Sequence, residues 1–432
     1  MVFTANMLSL RNSSTMTILV RQALIKDKLS SHYQTVKDIL IADGIIQEIK
    51  DSIQTKADEI IEAQGNMISP GWVDVFTVGT DPGFEFKDDL RSLANAAAHG
   101  GFTHVFVSPN THPVTQSKTG VEYIVSASKM LPCAIHPIGA VSKNTEGKEL
   151  TEMFDMHASG AIAFGDGIKS IQSAGLLIKA LQYVSAFDGV IIQIPDDQSV
   201  APHGQMNEGV ISTQIGLPGK PALAEEIMVA RDIELARYTK SKIHITGISL
   251  STSVDMIKKA KKDGVQISCS TTLHHCMFTE NDLIGYQTNL KVNPPLRAEK
   301  DRKAMLKGIK DGIIDCITSH HTAQHKDAKI CEFEYAGNGT LGLEAVFGML
   351  GNAGLSLDEI LDSICFHPRQ LFKLENTIEV GMSADMTIFN EHILSEFSSS
   401  NNQSKSNNSA YIGLPMKGKS IATILGNQLY KI

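Results

Sequence analysis

Several histidines of the central region lie where metal or acid–base chemistry would need them. Six fall at or just beyond the ends of predicted β-strands: His244, His274, His275, His320, His321 and His325. Imidazole rings that bind a divalent metal help to turn water into a nucleophile, but such a site needs several histidine and carboxylate ligands that converge. Single histidines more often serve as hydrogen-bonded structural groups. Neither interpretation is excluded by the residues alone.

These candidates need a scaffold that brings strand ends together, and the middle of the chain predicts one. Apolar, strand-like runs begin at Met67, Thr103, Ala134, Ala161, Gly189, Lys242, Val265 and Ile313. Segments with helical spacing, such as DDLRSLANAAAHGG and TSVDMIKKAKKDG, separate them. Eight such units predict an α/β fold, a (β/α)₈ TIM barrel with its chemistry at the carboxyl ends of the strands. A doubly wound open sheet is the alternative, but no G-x-G-x-x-G turn follows the first strand.

Both chain ends predict β-structure outside the barrel. The runs TILVRQALI and DILIADGIIQEIK near the start, and ADMTIFN and KSIATILGNQLY near the end, read as strands. We therefore predict a small flanking β-sandwich from residues 1–66 and 376–432, with residues 1–15 as a loose extension, and a barrel over 67–375. The Ser/Asn-rich stretch SEFSSSNNQSKSNNSAY from Ser395 has few apolar residues and predicts a mobile loop.

Composition narrows the class of protein. The 432 residues are 42% hydrophobic and 20% charged, with a net charge of −8, so the chain resembles an ordinary soluble domain and carries no basic footprint for nucleic acid or an anionic membrane. We expect no secretory leader, since the first residues lack a basic segment followed by a continuous apolar stretch, and no run of about 18 apolar residues occurs. The six cysteines are scattered without a C-x-x-C pair, which fits a reducing compartment. We expect a cytoplasmic protein.

Six motifs together carry a resemblance to a known family. They are SPGWVD at Ser69, GGFTHVFVSPNTHPV at Gly100, GQMNEG at Gly204, KVNPPLR at Lys291, GTLGLEA at Gly339 and GMSADMTIF at Gly381. From about Met16 to its end the chain resembles the dihydroorotases of multifunctional complexes, members of the amidohydrolase superfamily. The resemblance implies a TIM barrel that uses one or two zinc ions to interconvert carbamoyl aspartate and dihydroorotate in pyrimidine biosynthesis.

The resemblance also locates the family's metal ligands, and most of these positions carry other residues. At the His-x-His pair after the first strand, the histidines of the fifth and sixth strands and the aspartate of the eighth, this chain has Phe76, Val78, Gln193, Gly247 and Ser319. The substrate-binding arginine corresponds to Thr80, and Asp166 is the only ligand candidate that remains. Because a lone carboxylate binds zinc too weakly to hold it, we expect no cofactor, and zinc only if an atypical site is active.

Other polar residues have two open interpretations. Asn110 and Asn293 correspond to family positions that help to hold the substrate, but an asparagine beside proline also commonly hydrogen-bonds its own turn. His274 and His275 match residues that the family carries outside its metal shell. A relocated metal site would therefore have to recruit His321 or His325.

Two functional hypotheses follow from these positions. The first is a catalytically inactive dihydroorotase-like protein that serves as a scaffold or binding protein. Its partner would be aspartate carbamoyltransferase, another copy of itself or a small anionic ligand. The second is an active dihydroorotase or related cyclic amidohydrolase with an atypical site. The first is favoured, because a fold without its reactive groups carries no chemistry.

Overall fold

The computed structural model describes residues 16–432, and the predicted loose extension at residues 1–15 lies outside the described residues. Within this range the chain forms a barrel sheet of eight parallel strands, a separate eight-stranded sheet built from both chain ends, and a two-stranded ribbon. The predicted TIM barrel and the flanking β-structure from both chain ends are confirmed. No helix among residues 16–432 is long and apolar enough to cross a membrane.

The strands and helices of residues 16–432 have the following bounds. The strands are β1 (Thr17–Ile25), β2 (Val36–Ala42), β3 (Ile45–Lys50), β4 (Glu59–Glu62), β5 (Met67–Pro70), β6 (Trp72–Thr77), β7 (Phe102–Val107), β8 (Ala134–Gly139), β9 (Ala163–Phe164), β10 (Val190–Gln193), β11 (Met206–Asn207), β12 (Gly219–Lys220), β13 (Lys242–Thr246), β14 (Ile267–Thr272), β15 (Cys316–Thr318), β16 (Asp385–Glu396), β17 (Pro415–Leu425) and β18 (Gln428–Lys431). The helices are α1 (Leu90–His99), α2 (Lys118–Ser128), α3 (Met153–Ala158), α4 (Ala174–Ser185), α5 (Val210–Ile215), α6 (Leu223–Thr239), α7 (Ser251–Lys262), α8 (Leu273–Met277), α9 (Glu299–Lys310), α10 (Val346–Leu350), α11 (Leu357–Leu361) and α12 (His367–Leu371).

The barrel strands run in the order β6, β7, β8, β9, β10, β13, β14 and β15. The apolar run from Met67 serves two sheets rather than one. Its first part, β5, pairs with β1 and β16 in the outer sheet, and only β6 enters the barrel. Gly71 lies between the two parts. Only glycine fits there because the backbone passes close to β7: a Cβ atom would lie 2.0 Å from Thr103 Oγ1.

The barrel closes between its first and last strands through the buried side chain of Asp74. This carboxylate accepts hydrogen bonds from the backbone amides of Phe76 (3.0 Å) and Ser319 (2.8 Å) and contacts the Thr318 hydroxyl. Just beyond, the Val78 amide donates to the His321 carbonyl at 2.9 Å. Burial raises the pKa of Asp74 above its ordinary value, although these hydrogen bonds act to lower it. One side chain from β6 therefore positions the residues that follow β15.

The outer sheet runs in the order β18, β17, β16, β5, β1, β2 and β3, with β4 paired to β1. A buried ion pair joins it to the barrel: Arg369 Nη2 lies 2.6 Å from Asp385 Oδ2 in β16. The same carboxylate also accepts from Thr103 Oγ1 at 2.6 Å and lies 2.9 Å from His104 Nε2, both in β7. The two sheets are thus held by hydrogen bonds as well as by apolar contact.

The Ser/Asn-rich stretch is ordered, so the prediction of a mobile loop is wrong. Ser404 Oγ donates to the Asp88 carboxylate at 2.7 Å and Ser406 Oγ donates to the Lys87 carbonyl at 2.8 Å. Asn408 accepts from the Gln324 amide and donates to the Thr322 carbonyl, both at 2.9 Å. Polar contacts with the barrel loops replace apolar burial here. Composition could not show this, because the partners of Ser404 and Ser406 are more than 300 residues away in sequence.

We expect Asp74→Ala to lower the free energy of unfolding by about 3 kcal/mol, because it leaves buried amide donors without an acceptor. Urea denaturation followed by circular dichroism measures this change. Asp51→Ala is the matched control: its side chain is 88% exposed and pairs only with Lys37, so the loss there should stay below about 0.5 kcal/mol. Equal losses in the two variants would contradict the closure role of Asp74.

Candidate functional site

A cavity of about 520 Å³ opens where the barrel strands end. Residues at the end of β6 and just after β7, β9, β14 and β15 contribute to its wall, among them Phe76, Asn110, Lys169, His274 and His320. Parallel strands bring their carboxyl ends to one face of a barrel, which explains why residues so distant in sequence meet there. This cavity lies at the position expected from the sequence.

Phe76 and His320 form a packed pair on the cavity wall. Their ring centroids are 4.6 Å apart, and Phe76 also belongs to the apolar cluster that fills the barrel interior. His320 Nε2 is 2.9 Å from Thr246 Oγ1, and burial lowers the pKa of His320 to about 3, so the ring is neutral near pH 7. Gly247 makes room for it: with φ of +75°, a Cβ atom there would lie 2.8 Å from His320 Cε1.

Three other residues at the family's site positions are engaged elsewhere. Asp166, the remaining ligand candidate, accepts hydrogen bonds from the Ser142 amide (2.8 Å) and hydroxyl, and burial raises its pKa. Gln193 is paired with the backbone of Ile171. Ser319 Oγ accepts from the His321 amide at 3.0 Å. None of the three lines the cavity among residues 16–432.

The donors present do not fit the zinc centre that the family resemblance implies. Across residues 16–432, no group of three or more histidine, cysteine, aspartate or glutamate side chains is placed to hold a metal ion. His321 is buried with its Nε2 3.5 Å from Asp88 Oδ2, whereas His325 is exposed beside Asp327. The two histidines available to a relocated site therefore have different carboxylate neighbours and do not share a common set of ligands.

Asn110 and Asn293 both line the cavity, with side chains that hold the surrounding loops. Asn110 donates to the Asp166 carbonyl at 3.0 Å and accepts from the Ile168 amide at 2.8 Å. Asn293 accepts from Lys220 Nζ at 3.0 Å and donates to Asp196 at 3.1 Å. Each amide thus has a structural partner on both its oxygen and its nitrogen. A part in ligand binding remains a prediction for both.

His274 is a residue whose importance the sequence analysis missed. It is 2% exposed and lines the cavity, yet neither ring nitrogen has a hydrogen-bond partner among the described residues. Burial, with the neighbouring imidazoles of His275 and His320, lowers its pKa well below the ordinary value. In the adjacent His275 both nitrogens are engaged, with Thr272 Oγ1 (2.8 Å) and the Pro295 carbonyl (3.1 Å). No sequence signal separates the two.

Two lysines give the cavity a positive character. Lys87 and Lys169 line it, no aspartate or glutamate of residues 16–432 does, and neither lysine has a carboxylate within 4.0 Å in that part of the chain. Lys87 Nζ lies 3.2 Å from Gln324 Oε1 and 5.3 Å from the centre of the Phe84 ring. Desolvation lowers the pKa of Lys87. A half-buried cation without a counter-ion favours an anionic ligand.

Comparison with known proteins points to one family. A family model described as dihydro-orotase-like matches residues 65–253. The dihydroorotase of Ruminiclostridium cellulolyticum is 40% identical over 418 residues, covering 95% of this chain and 97% of the relative. The dihydroorotase of Acetivibrio thermocellus is also 40% identical, over 403 residues that cover 91% of this chain and 94% of that protein.

Solved structures agree with this fold. The L-hydantoinase (dihydropyrimidinase) from Arthrobacter aurescens has a TM-score of 0.80 and 24% identity, with 95% of both chains covered. The D-hydantoinase (dihydropyrimidinase) from a Thermus species has a TM-score of 0.79 and 18% identity over 95% of this chain and 94% of that one. The TM-scores show that the architecture is shared, and at identities this low the likeness concerns the fold alone.

We expect His274→Leu to leave the free energy of unfolding within about 1 kcal/mol of the parent, because no hydrogen bond to a described residue is lost. His275→Leu is the matched variant and should lower that free energy by about 2 kcal/mol, since it removes two buried hydrogen bonds. Urea denaturation of both variants tests the contrast. A large loss in His274→Leu alone would show that its nitrogens have structural partners.

Proposed function

The chain belongs to the dihydroorotase family of the amidohydrolase superfamily, and we propose that it serves pyrimidine biosynthesis without catalysing hydrolysis. One observation carries the proposal: at the barrel mouth, a neutral histidine packed on Phe76 stands beside Gly247, where the family resemblance calls for metal ligands. Hydrolysis of a cyclic amide at neutral pH needs an activated water and a group that takes up its proton. The groups near this cavity do not supply that combination.

The proton-transfer groups are the clearest gap. The family's catalytic aspartate corresponds to Ser319, whose hydroxyl oxygen accepts from the His321 amide. Asp166 is held by Ser142, and its carboxylate does not face the cavity. His274 and His320 both have strongly lowered pKa values, so neither is a competent base near pH 7. The site therefore supports binding better than proton transfer.

An intact fold without these groups supports a role as a scaffold. The barrel interior remains a continuous apolar cluster that includes Val73, Phe106, Ile138 and Ile192. Most changes in such a core destabilise by about 1 kcal/mol, so a fold no longer in use would be expected to accumulate polar substitutions there. We propose aspartate carbamoyltransferase as the partner, because dihydroorotases of this class resemble subunits that assemble with it. Self-association and a small anionic ligand are the other candidates.

Exposed apolar residues near the barrel mouth offer a surface for such a partner. Phe86, in the loop after β6, is 61% exposed. Ile330 and Tyr335, in the loop after β15, are 80% and 76% exposed. The two loops follow neighbouring strands of the closed barrel, so they share its carboxyl-end face, where a partner would bury these side chains. We propose that this surface contacts the carbamoyltransferase.

We expect the protein, purified without chelator, to contain less than about 0.1 zinc per chain, because isolated side chains hold zinc poorly. Dihydroorotate hydrolysis should equal a buffer control, with or without added zinc. Elemental analysis and a spectrophotometric assay measure the two quantities. Near-stoichiometric zinc that is lost in Asp166→Ala, or turnover that survives repurification and disappears in Ser319→Ala, would establish the active alternative instead.

We expect the protein and the aspartate carbamoyltransferase from the same source to co-migrate on size exclusion at micromolar concentration, as an interface of at least about 1,000 Å² requires. The double variant Phe86→Ser with Tyr335→Ser should lose the complex. Met130→Ser is the control, since Met130 is 76% exposed in the turn before β8, at the opposite end of the barrel. A protein that elutes alone, with no carbamoyltransferase recovered from its extract, would eliminate this role.

A further inference from the structure

We propose that the cavity at the barrel mouth binds a phosphate ester that carries a planar ring, with a nucleoside monophosphate as the class of ligand that fits. The proposal rests on the proposed function, because in a cavity without a metal the recognition must come from the side chains that line it. Lys87, Lys169 and His274 are those side chains.

The charge balance of the cavity favours an anion. Neither of its lysines has a carboxylate within 4.0 Å among residues 16–432, although the chain as a whole has a net charge of −8 and Lys169 lies close enough to Asp166 to counteract the rise in that carboxyl's pKa. Elsewhere at the barrel mouth a buried lysine is neutralised: Lys220 Nζ lies 2.7 Å from Asp196. Lys87 is half-buried, and its desolvation is not offset by a counter-ion. A ligand with two negative charges would offset it.

The kind of cation is compatible with phosphate. Lysine acts as a point charge on a flexible stem and is a common phosphate ligand, whereas the arginine guanidinium binds carboxylate or phosphate through two parallel hydrogen bonds. The cavity wall has two lysines and, among residues 16–432, no arginine. Lys87 follows β6 and Lys169 follows β9, so the two stems reach the cavity from different loops. Such an arrangement suits a tetrahedral group with several oxygens.

Size and shape favour a ligand larger than one small ring. The cavity of about 520 Å³ is within the range of sites that enclose whole drug-sized molecules. The rings of Phe76, Phe84 and His320 contribute to its wall. Aromatic surfaces of this kind hold planar bases by stacking. A ring joined to a phosphate through a sugar would reach both the aromatic wall and the lysines.

His274 would recognise the neutral part of the ligand. A neutral imidazole has one nitrogen that donates and one that accepts, and in this ring neither has a partner among the described residues. Buried polar groups are hydrogen-bonded in nearly all proteins. Because His274 lines the cavity, a molecule bound there would supply the partners for its two nitrogens. Carbonyl, hydroxyl and ring N–H groups of a nucleoside all meet this requirement. The ring does not compete with the lysines for the phosphate because it is uncharged.

Isothermal titration calorimetry of the full chain with uridine 5′-monophosphate tests the proposal. We expect binding in the presence of EDTA, with uridine and inorganic phosphate each at least about tenfold weaker, because each has only half of the contacts. Lys169→Gln should weaken binding about tenfold, and His274→Leu should weaken it without loss of folding. Lys262→Gln is the matched control, because Lys262 is an exposed lysine at the end of α7. This variant should bind the nucleotide as tightly as the parent does.

The outcomes separate this inference from the proposed function. Absence of binding to the nucleotide, or equal binding in Lys169→Gln and Lys262→Gln, would overturn the phosphate site. Tighter binding of carbamoyl aspartate than of the nucleotide would also overturn it, in favour of a carboxylate site. Zinc or dihydroorotate turnover would overturn the proposed function, and each is measured independently of nucleotide binding. Nucleotide binding to zinc-free protein that is weakened by Lys169→Gln and unchanged by Lys262→Gln supports both the phosphate site and the proposed function.

Discussion

The site depends on one buried carboxylate, Asp74, which joins the first and last strands of the barrel. The barrel sheet is hydrogen-bonded from β6 to β15, but no regular strand ladder connects these two ends among the described residues. Asp74 supplies that connection through the Ser319 amide and the Thr318 hydroxyl. A buried carboxylate is stable only when its oxygens are hydrogen-bonded. The same bonds that satisfy Asp74 therefore bring Phe76 and His320 to one wall.

The residues at the barrel mouth form a packed unit rather than a set of independent replacements. His320 needs the absence of a side chain at Gly247, a hydrogen bond from or to Thr246, and the face of Phe76. A larger side chain at position 247 would collide with His320, and a polar ring at position 76 would enter the apolar interior of the barrel. These positions are physically coupled, so a larger side chain at one of them requires a change at the others.

The loops around the cavity combine a hydrogen-bonded frame with two lysines that have no carboxylate within 4.0 Å among residues 16–432. Buried polar contacts, such as those of Asn293 with Lys220 and Asp196, hold part of the wall in place. The Ser/Asn-rich stretch adds another part by fixing the backbone of Lys87 through Ser406. Because this frame positions Lys87 but does not neutralise it, the cavity keeps a positive potential inside an acidic protein. Such a field raises the concentration of small anions in the cavity above that in the bulk solvent.

The sequence by itself determined the barrel, the β-structure from both chain ends and the family, because strand periodicity and local motifs such as KVNPPLR depend on neighbouring residues. Through the family resemblance it also gave the expectation that Phe76 and Gly247 stand at ligand positions. The split of the run at Met67 between two sheets, the order of the stretch from Ser395 and the contrast between His274 and His275 were decided only by tertiary structure. In the first two cases the deciding contact joins residues distant in sequence, Gly71 with Thr103 and Ser404 with Asp88. In the third, His275 combines a local partner, Thr272, with the Pro295 carbonyl of a later loop. Local pattern describes what a segment can form, whereas the partners of its polar groups exist only once the chain has closed.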